Sequence, residues 1–177
     1  MAERTNFTKR VGLFPDAHTL DQADANTLRL AGPQRFLTRT YAGGRAQGPV
    51  VAVHPTVDGL AQVSRYAIDG VLVVIEFGFT PELVGWATAV QAYNARTDAE
   101  TPPLSADLHA QFTSMLMWET EIGQGAARGA GRGRVQGPLR IMKSEGLSEE
   151  FVIGYSLALG LSSHYFPKLS AHYRAAD

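Results

Sequence analysis

His54, Thr56 and Glu76 are the residues whose types and spacing could do chemistry. His54-Pro55-Thr56 follows the β-branched run VVAV, and Glu76 follows a second apolar run, VLVVI. An imidazole, a hydroxyl and a carboxylate brought to one place can hold a small ligand or move a proton. A parallel sheet does this naturally, because its strands deliver ligand-facing groups at their carboxyl ends. Each residue also has a plain structural use. Thr56 with Asp58 fits the cap and first turn of a following helix, and His54 can hydrogen-bond within the sheet edge.

A second set is basic. Residues 123–137 read GQGAARGAGRGRVQG, and between Glu121 and Glu145 there is no acidic residue, whereas Arg128, Arg132, Arg134, Arg140 and Lys143 all fall there. Glycine lets backbone amides approach an anion, and arginine adds planar multiple donors, so these residues are candidates for binding an anion or nucleic acid. Neither phosphate-loop pattern is met: there is no GxxxxGK[ST], and the segment follows a helical pattern where a dinucleotide fingerprint needs a strand. A solvated glycine-rich loop accounts for the same composition, since so much glycine opposes a continuous helix.

A third set lies near the carboxyl terminus. Ser156, Gly160, Leu161 and Phe166 approximate a helix-turn-helix, with Lys168, His172 and Arg174 giving the last helix a basic face. Pro167 falls where a recognition helix should already be hydrogen-bonded, which favours a packed helical hairpin. Other chemistries lack their residues. The chain has no cysteine, no HxxxH pair and no GxSxG elbow, so no metal, cofactor or nucleophilic centre is expected.

The elements that must position these residues follow from periodicity. Residues 49–94 read as a β-α-β-α unit: strand VVAVH, crossover helix Val57 to Ile68, strand VLVVIEF, and a helix opened by Thr80 as cap, Pro81 at its first position and Glu82 in its first turn. Alternation over Arg35 to Tyr41 predicts another strand, and Arg10 to Phe14 a further one. Thr19 to Ala31 reads as one helix with a Thr19/Gln22 capping box, stopped by Gly32. Residues 95–104, ending in Pro102-Pro103, form the expected linker. Beyond it Ser105 caps a helix reaching Ile122, Pro138 opens a short helix, Ser148 caps another, and Pro167 marks the start of the last. The strand-HPT-helix-strand unit, followed by the tail LRIMKSEGLSEEFVIGYSLALGL, resembles small bacterial proteins over Gly48 to Phe79 and Leu139 to Leu161. What that resemblance implies is a fold and no activity.

Composition bounds the class. The 177 residues are 45% hydrophobic and 19% charged, ordinary for a globular chain. The longest aliphatic run, Val71 to Ile75, is far short of the roughly 20 residues of a membrane helix, so no membrane partner is expected. The first residues have no apolar core for a signal peptide, and a cytoplasmic setting is the simplest expectation. The net charge of −1 is unevenly spread: residues 1–46 hold seven basic and four acidic residues, 47–121 two and nine, and 122–177 seven and four.

The expected architecture is α/β, with a small mixed sheet built on the central parallel β-α-β-α unit. A sheet domain, residues 1–97, is followed by an α-helical subdomain, residues 105–177, carrying an Arg/Gly-rich loop at 123–137. The leading functional expectation is a non-catalytic cytoplasmic protein acting through protein-protein contacts. The alternatives are nucleic-acid binding through the Arg/Gly segment and last helices, and a small-molecule enzyme or sensor using His54, Thr56 and Glu76.

Overall fold

The computed structural model describes residues 9–41, 46, 48–67, 70–76, 78, 80–125 and 131–176. The chain divides into two compact units, Met1–Gly78 and Phe79–Asp177.

The first unit is an α/β sheet. Strands β1 (Val11–Phe14), β2 (Gln34–Leu37), β3 (Val50–Val53) and β4 (Leu72–Ile75) lie in the order β2-β1-β3-β4. All three pairings are parallel, where a mixed sheet was expected. The cause is in the connections: each runs to a dozen residues or more, long enough to cross over, and none is a hairpin turn. Antiparallel pairing is confined to the short ladder of β5 (Tyr93–Asn94) and β6 (Ala99–Glu100) in the second unit, inside the stretch expected to be linker.

The interior strands explain the core. Every residue of β1 and β3 is buried. Phe14, Val51 and Val53 cluster with Ala31 and with Leu20, Ala23 and Leu28. These last four come from helices α1 (Ala17–Gln22) and α2 (Ala25–Ala31) and the turn joining them. Strand alternation sends Leu13, Val50 and Ala52 to the other face, the side of helix α3 (Val57–Tyr66), whose Leu60 and Val63 are buried. Each fully buried Val, Leu or Phe among these contributes roughly 1.5–3 kcal/mol. The edge strands are less covered, with Phe36 and Val73 exposed.

Two local expectations differ. The single helix over Thr19 to Ala31 is two, because Asp16 and Asp24 each cap a start, accepting from the Thr19 and Thr27 amides at 2.7 Å. Those hydrogen bonds hold both carboxyls below the usual carboxylate range. The strand expected over Arg35 to Tyr41 stops at Leu37, and Thr38–Thr40 form a 3-10 turn. There the Thr38 hydroxyl is buried and donates to the Phe14 carbonyl, a bond that extended backbone would not place.

The second unit is helical: α4 (Pro81–Ala89), α5 (Ala106–Leu116), α6 (Glu119–Gln124), α7 (Arg132–Ser144), α8 (Glu149–Ala158) and α9 (Phe166–Arg174). Thr80, Ser105 and Ser148 cap α4, α5 and α8. The division at 78/79 puts α4 with these helices, upstream of the expected boundary, because α4 packs against α8. The two backbones meet closely: a Cβ on Gly85 would collide with the Phe151 carbonyl, and one on Gly154 with the Glu82 carbonyl. The helix expected to run from Ser105 to Ile122 breaks at Met117-Trp118, and α6 continues from there. Tyr155 stacks near Phe112, with centroids 4.2 Å apart, while its phenol pairs with His109 Nδ1 at 2.8 Å. Burial pushes that phenol above the usual tyrosine range.

Candidate functional site

The carboxyl edge of the sheet brings His54 and Glu76 together. Strands β3 and β4 pair in register through Val53 and Ile75, and the His54 amide extends the ladder by donating to the Ile75 carbonyl at 2.8 Å. One step beyond, His54 Nδ1 lies 2.9 Å from Glu76 Oε1, with about a fifth of each side chain exposed. An ionised carboxylate only accepts, so Nδ1–H is the donor and the bond fixes the tautomer. His54 Nε2 is shielded from solvent.

His54 also carries backbone strain. Its φ of 45° lies in the left-handed region, which costs a non-glycine residue roughly 1–2 kcal/mol. Histidine is among the residues that tolerate it, and Pro55 immediately follows.

Thr56 does not join the pair. Its hydroxyl accepts from the Gly59 amide at 3.1 Å, capping α3, with Asp58 in the first turn. Of the three residues singled out by type, two converge and one is a cap.

The strand order adds a site signal that residue types could not supply. From β1 the chain moves outward to β2, then crosses back to β3 and continues to β4. The reversal therefore falls between β1 and β3. Open α/β sheets bind ligands in the crevice outside the strand carboxyl ends at such a reversal, and His54 is the first residue past β3. The same edge carries Asp16 after β1, Asp58 after β3, Glu76 after β4 and Arg39 after β2, so among the described residues acids outnumber bases there.

The basic candidates lie in the helical unit. Arg128 is outside the described residues. Arg132, Arg134, Arg140 and Lys143 all belong to α7, which begins inside the segment expected to be an Arg/Gly loop. Burial of Val135, Gln136, Leu139 and Met142 along one face offsets the unfavourable glycines and Pro138, which sits within the helix and does not open it.

The helix then sorts its cations. Lys143 turns to the chain terminus, donating to the Ala176 carbonyl at 3.1 Å beside the Tyr173 ring. Arg134 lies over Trp118, 3.9 Å from the ring centroid. Arg134 and Arg140 line an open groove of about 740 Å³ between α5 and α7, with Trp118, Gly137, Pro138 and Ile141. Arg132 is exposed outside that lining and bears on His172.

The basic face expected on the last helix does not form. His172 is fully buried, Arg174 makes a bidentate pair with Glu149 at 2.7 and 2.8 Å, and Lys168 donates to the Gly123 carbonyl. The Arg174 bond draws the Glu149 carboxyl below its usual range. Around His172, burial lowers the imidazole pKa most, Arg132 adds to this, and the nearby carbonyls of Glu121 and Ile122 oppose it. Neither ring nitrogen completes a hydrogen bond among the described residues.

Among the described residues no group of three or more His, Asp or Glu side chains is placed to hold a metal ion, and no helix is long and apolar enough to cross a membrane. No family model matches the chain, and neither the curated proteins nor the solved structures include a significant match.

Proposed function

We propose that the sheet unit is a small-molecule-binding domain whose ligand docks at the carboxyl ends of β1, β3 and β4, with Glu76 meeting the ligand and His54 holding Glu76 in place. The observation that carries this reading is the 2.9 Å His54–Glu76 pair, set at the strand-order reversal on a backbone held in the left-handed region. Strain of that kind concentrates where a side chain is needed in one orientation.

Charge supports a choice of ligand. Asp16, Asp58 and Glu76 against Arg39 make the edge acidic, and Thr56 with Asp58 already satisfies the start of α3, so a phosphate is disfavoured. The ligand is cationic or neutral with N–H or O–H donors. Because His54 Nε2 is shielded, the imidazole is the positioning member and the carboxylate carries the recognition. A cytoplasmic setting, the simplest expectation from the sequence, goes with the same proposal.

A thermal-shift screen of small amines, guanidines and polyols against the full chain tests it. Stabilisation by a member of that set, lost in Glu76→Gln, supports the reading. Stabilisation by phosphates alone contradicts it.

A further inference from the structure

We propose that the groove between α5 and α7 docks an acidic segment of a partner protein, seating an apolar side chain between Trp118 and Ile141 and pairing carboxylates with Arg134 and Arg140. This inference does not depend on the ligand reading of the sheet edge, which concerns the other unit.

Three features of the groove point to this occupant. Its charge has one sign, since the lining residues include Arg134 and Arg140 and no carboxylate. Arg140 makes no ion pair among the described residues, and the Arg134 guanidinium, laid over Trp118, is held by its stack with its donor edge available. Arginine presents its donors as a planar fork matched to carboxylates.

The second feature is apolar surface beside the cations. Ile141, which lines the groove, is 44% exposed, and the Trp118 ring lies in the same lining. An aromatic ring with an arginine laid over it and an aliphatic neighbour is the kind of surface that anchors a partner's buried side chain.

The third is a glycine that the chain's own packing does not require. Gly137 lies in α7 and lines the groove, yet a Cβ built on it would meet nothing within 4 Å. A helix interior disfavours glycine relative to alanine, so its place on the groove floor gives a partner's backbone room for close approach. Pro138 beside it has no N–H, which leaves the Arg134 carbonyl without its i+4 helical donor and able to accept from that backbone.

An acidic protein segment fits better than nucleic acid. From residue 79 onward the sequence holds ten acidic and eight basic residues, so this unit has no broad positive field to draw a phosphate backbone. The cations of α9 are also engaged within the unit.

The test is fluorescence anisotropy of the full chain with a fluorescein-labelled peptide alternating Glu and Leu. The expected result is saturable binding that weakens roughly tenfold in each of Arg134→Ala and Arg140→Ala, the loss of one charge-assisted contact, with no competition from the matching Lys and Leu peptide. Gly137→Ala is expected to raise the unfolding temperature while weakening the peptide, a combination that a purely structural glycine does not give. Affinity unchanged in both arginine variants overturns the proposal. So does displacement of the peptide by an equal concentration of a thymidine oligonucleotide, or a concentration-dependent dimer of this chain that occludes the groove.

Discussion

His54 and Glu76 face each other across adjacent parallel strands, 2.9 Å from Nδ1 to Oε1, one step beyond the last ladder pair, Val53 and Ile75. Two residues twenty-two apart in sequence meet because β3 and β4 are parallel and in register. The pair is therefore a product of topology, with α3 as the crossover that brings the second strand back alongside the first.

The strain at His54 makes a stability prediction. His54→Gly removes the imidazole bond to Glu76 but relieves a φ of 45°, so the two changes, each of about 1 kcal/mol, nearly cancel. His54→Val loses the bond and adds a β-branched side chain in the left-handed region, and should cost about 2–3 kcal/mol. Urea unfolding midpoints of the two variants check this; equal midpoints for Gly and Val would show that the backbone at this position relaxes freely.

Thr56 separates capping from recognition. Thr56→Ala is expected to cost about 1 kcal/mol through the lost α3 cap and to leave ligand affinity at the sheet edge unchanged. A calorimetric titration showing a tenfold weaker ligand in Thr56→Ala would return the hydroxyl to the site.

The crossing of α4 and α8 depends on two glycines. Gly85→Ala and Gly154→Ala each drive a Cβ into the opposing backbone, where no side chain can move aside, and should destabilise by about 3 kcal/mol or more. Gly133→Ala, on α7 with nothing within 4 Å of a built Cβ, should stabilise by up to about 1 kcal/mol. Circular dichroism melts of the three variants give the comparison, and a neutral Gly154→Ala would mean that the helices separate without loss.

Buried His172 sets a pH dependence. Burial lowers its pKa from 6.5, so the unfolded chain binds the proton more readily than the folded one. Its contribution is complete above about pH 6.5 and is lost as pH falls below that value, at no more than about 1.4 kcal/mol per pH unit. The charged group acting on it is Arg132 on α7, in the same direction, while the neutral backbone carbonyls of Glu121 and Ile122 on α6 oppose it. Urea midpoints at pH 5, 6 and 7 should fall with acidity in the parent and stay flatter in His172→Leu.

Local signals carried much of this fold into the sequence. The caps Thr56, Thr80, Ser105 and Ser148 were readable because a hydroxyl before an apolar-periodic run can accept from the free amides of a helix start, although at Thr56 the same hydroxyl also read as a ligand contact. The parallel pairing of β3 and β4 followed from the crossover length. What the sequence hid was tertiary. Asp16 and Asp24 divide one periodic stretch into two helices, since periodicity does not register a two-residue break between short turns. Gly133, Gly137 and Pro138 argue against a helix by propensity, and only the buried face of Val135, Leu139 and Met142 reverses that. His172 looked like part of a basic face because its burial depends on α6 and α7, which lie far from it in sequence. For the candidate site, residue type marked both His54 and Glu76, whereas the strand-order reversal beside them, which favours a ligand there, depends on where β2 inserts.

The most direct measurement is the His54 Cε1–H resonance of the full chain by proton–carbon NMR, followed during titration with methylguanidinium, ethanolamine and, separately, inorganic phosphate. A saturable shift with a cation, no shift with phosphate, and loss of the cation response in Glu76→Gln with the fold retained are the expected results. A His54 resonance that stays in place through both cations, or that moves equally in Glu76→Gln, would contradict the proposed ligand site.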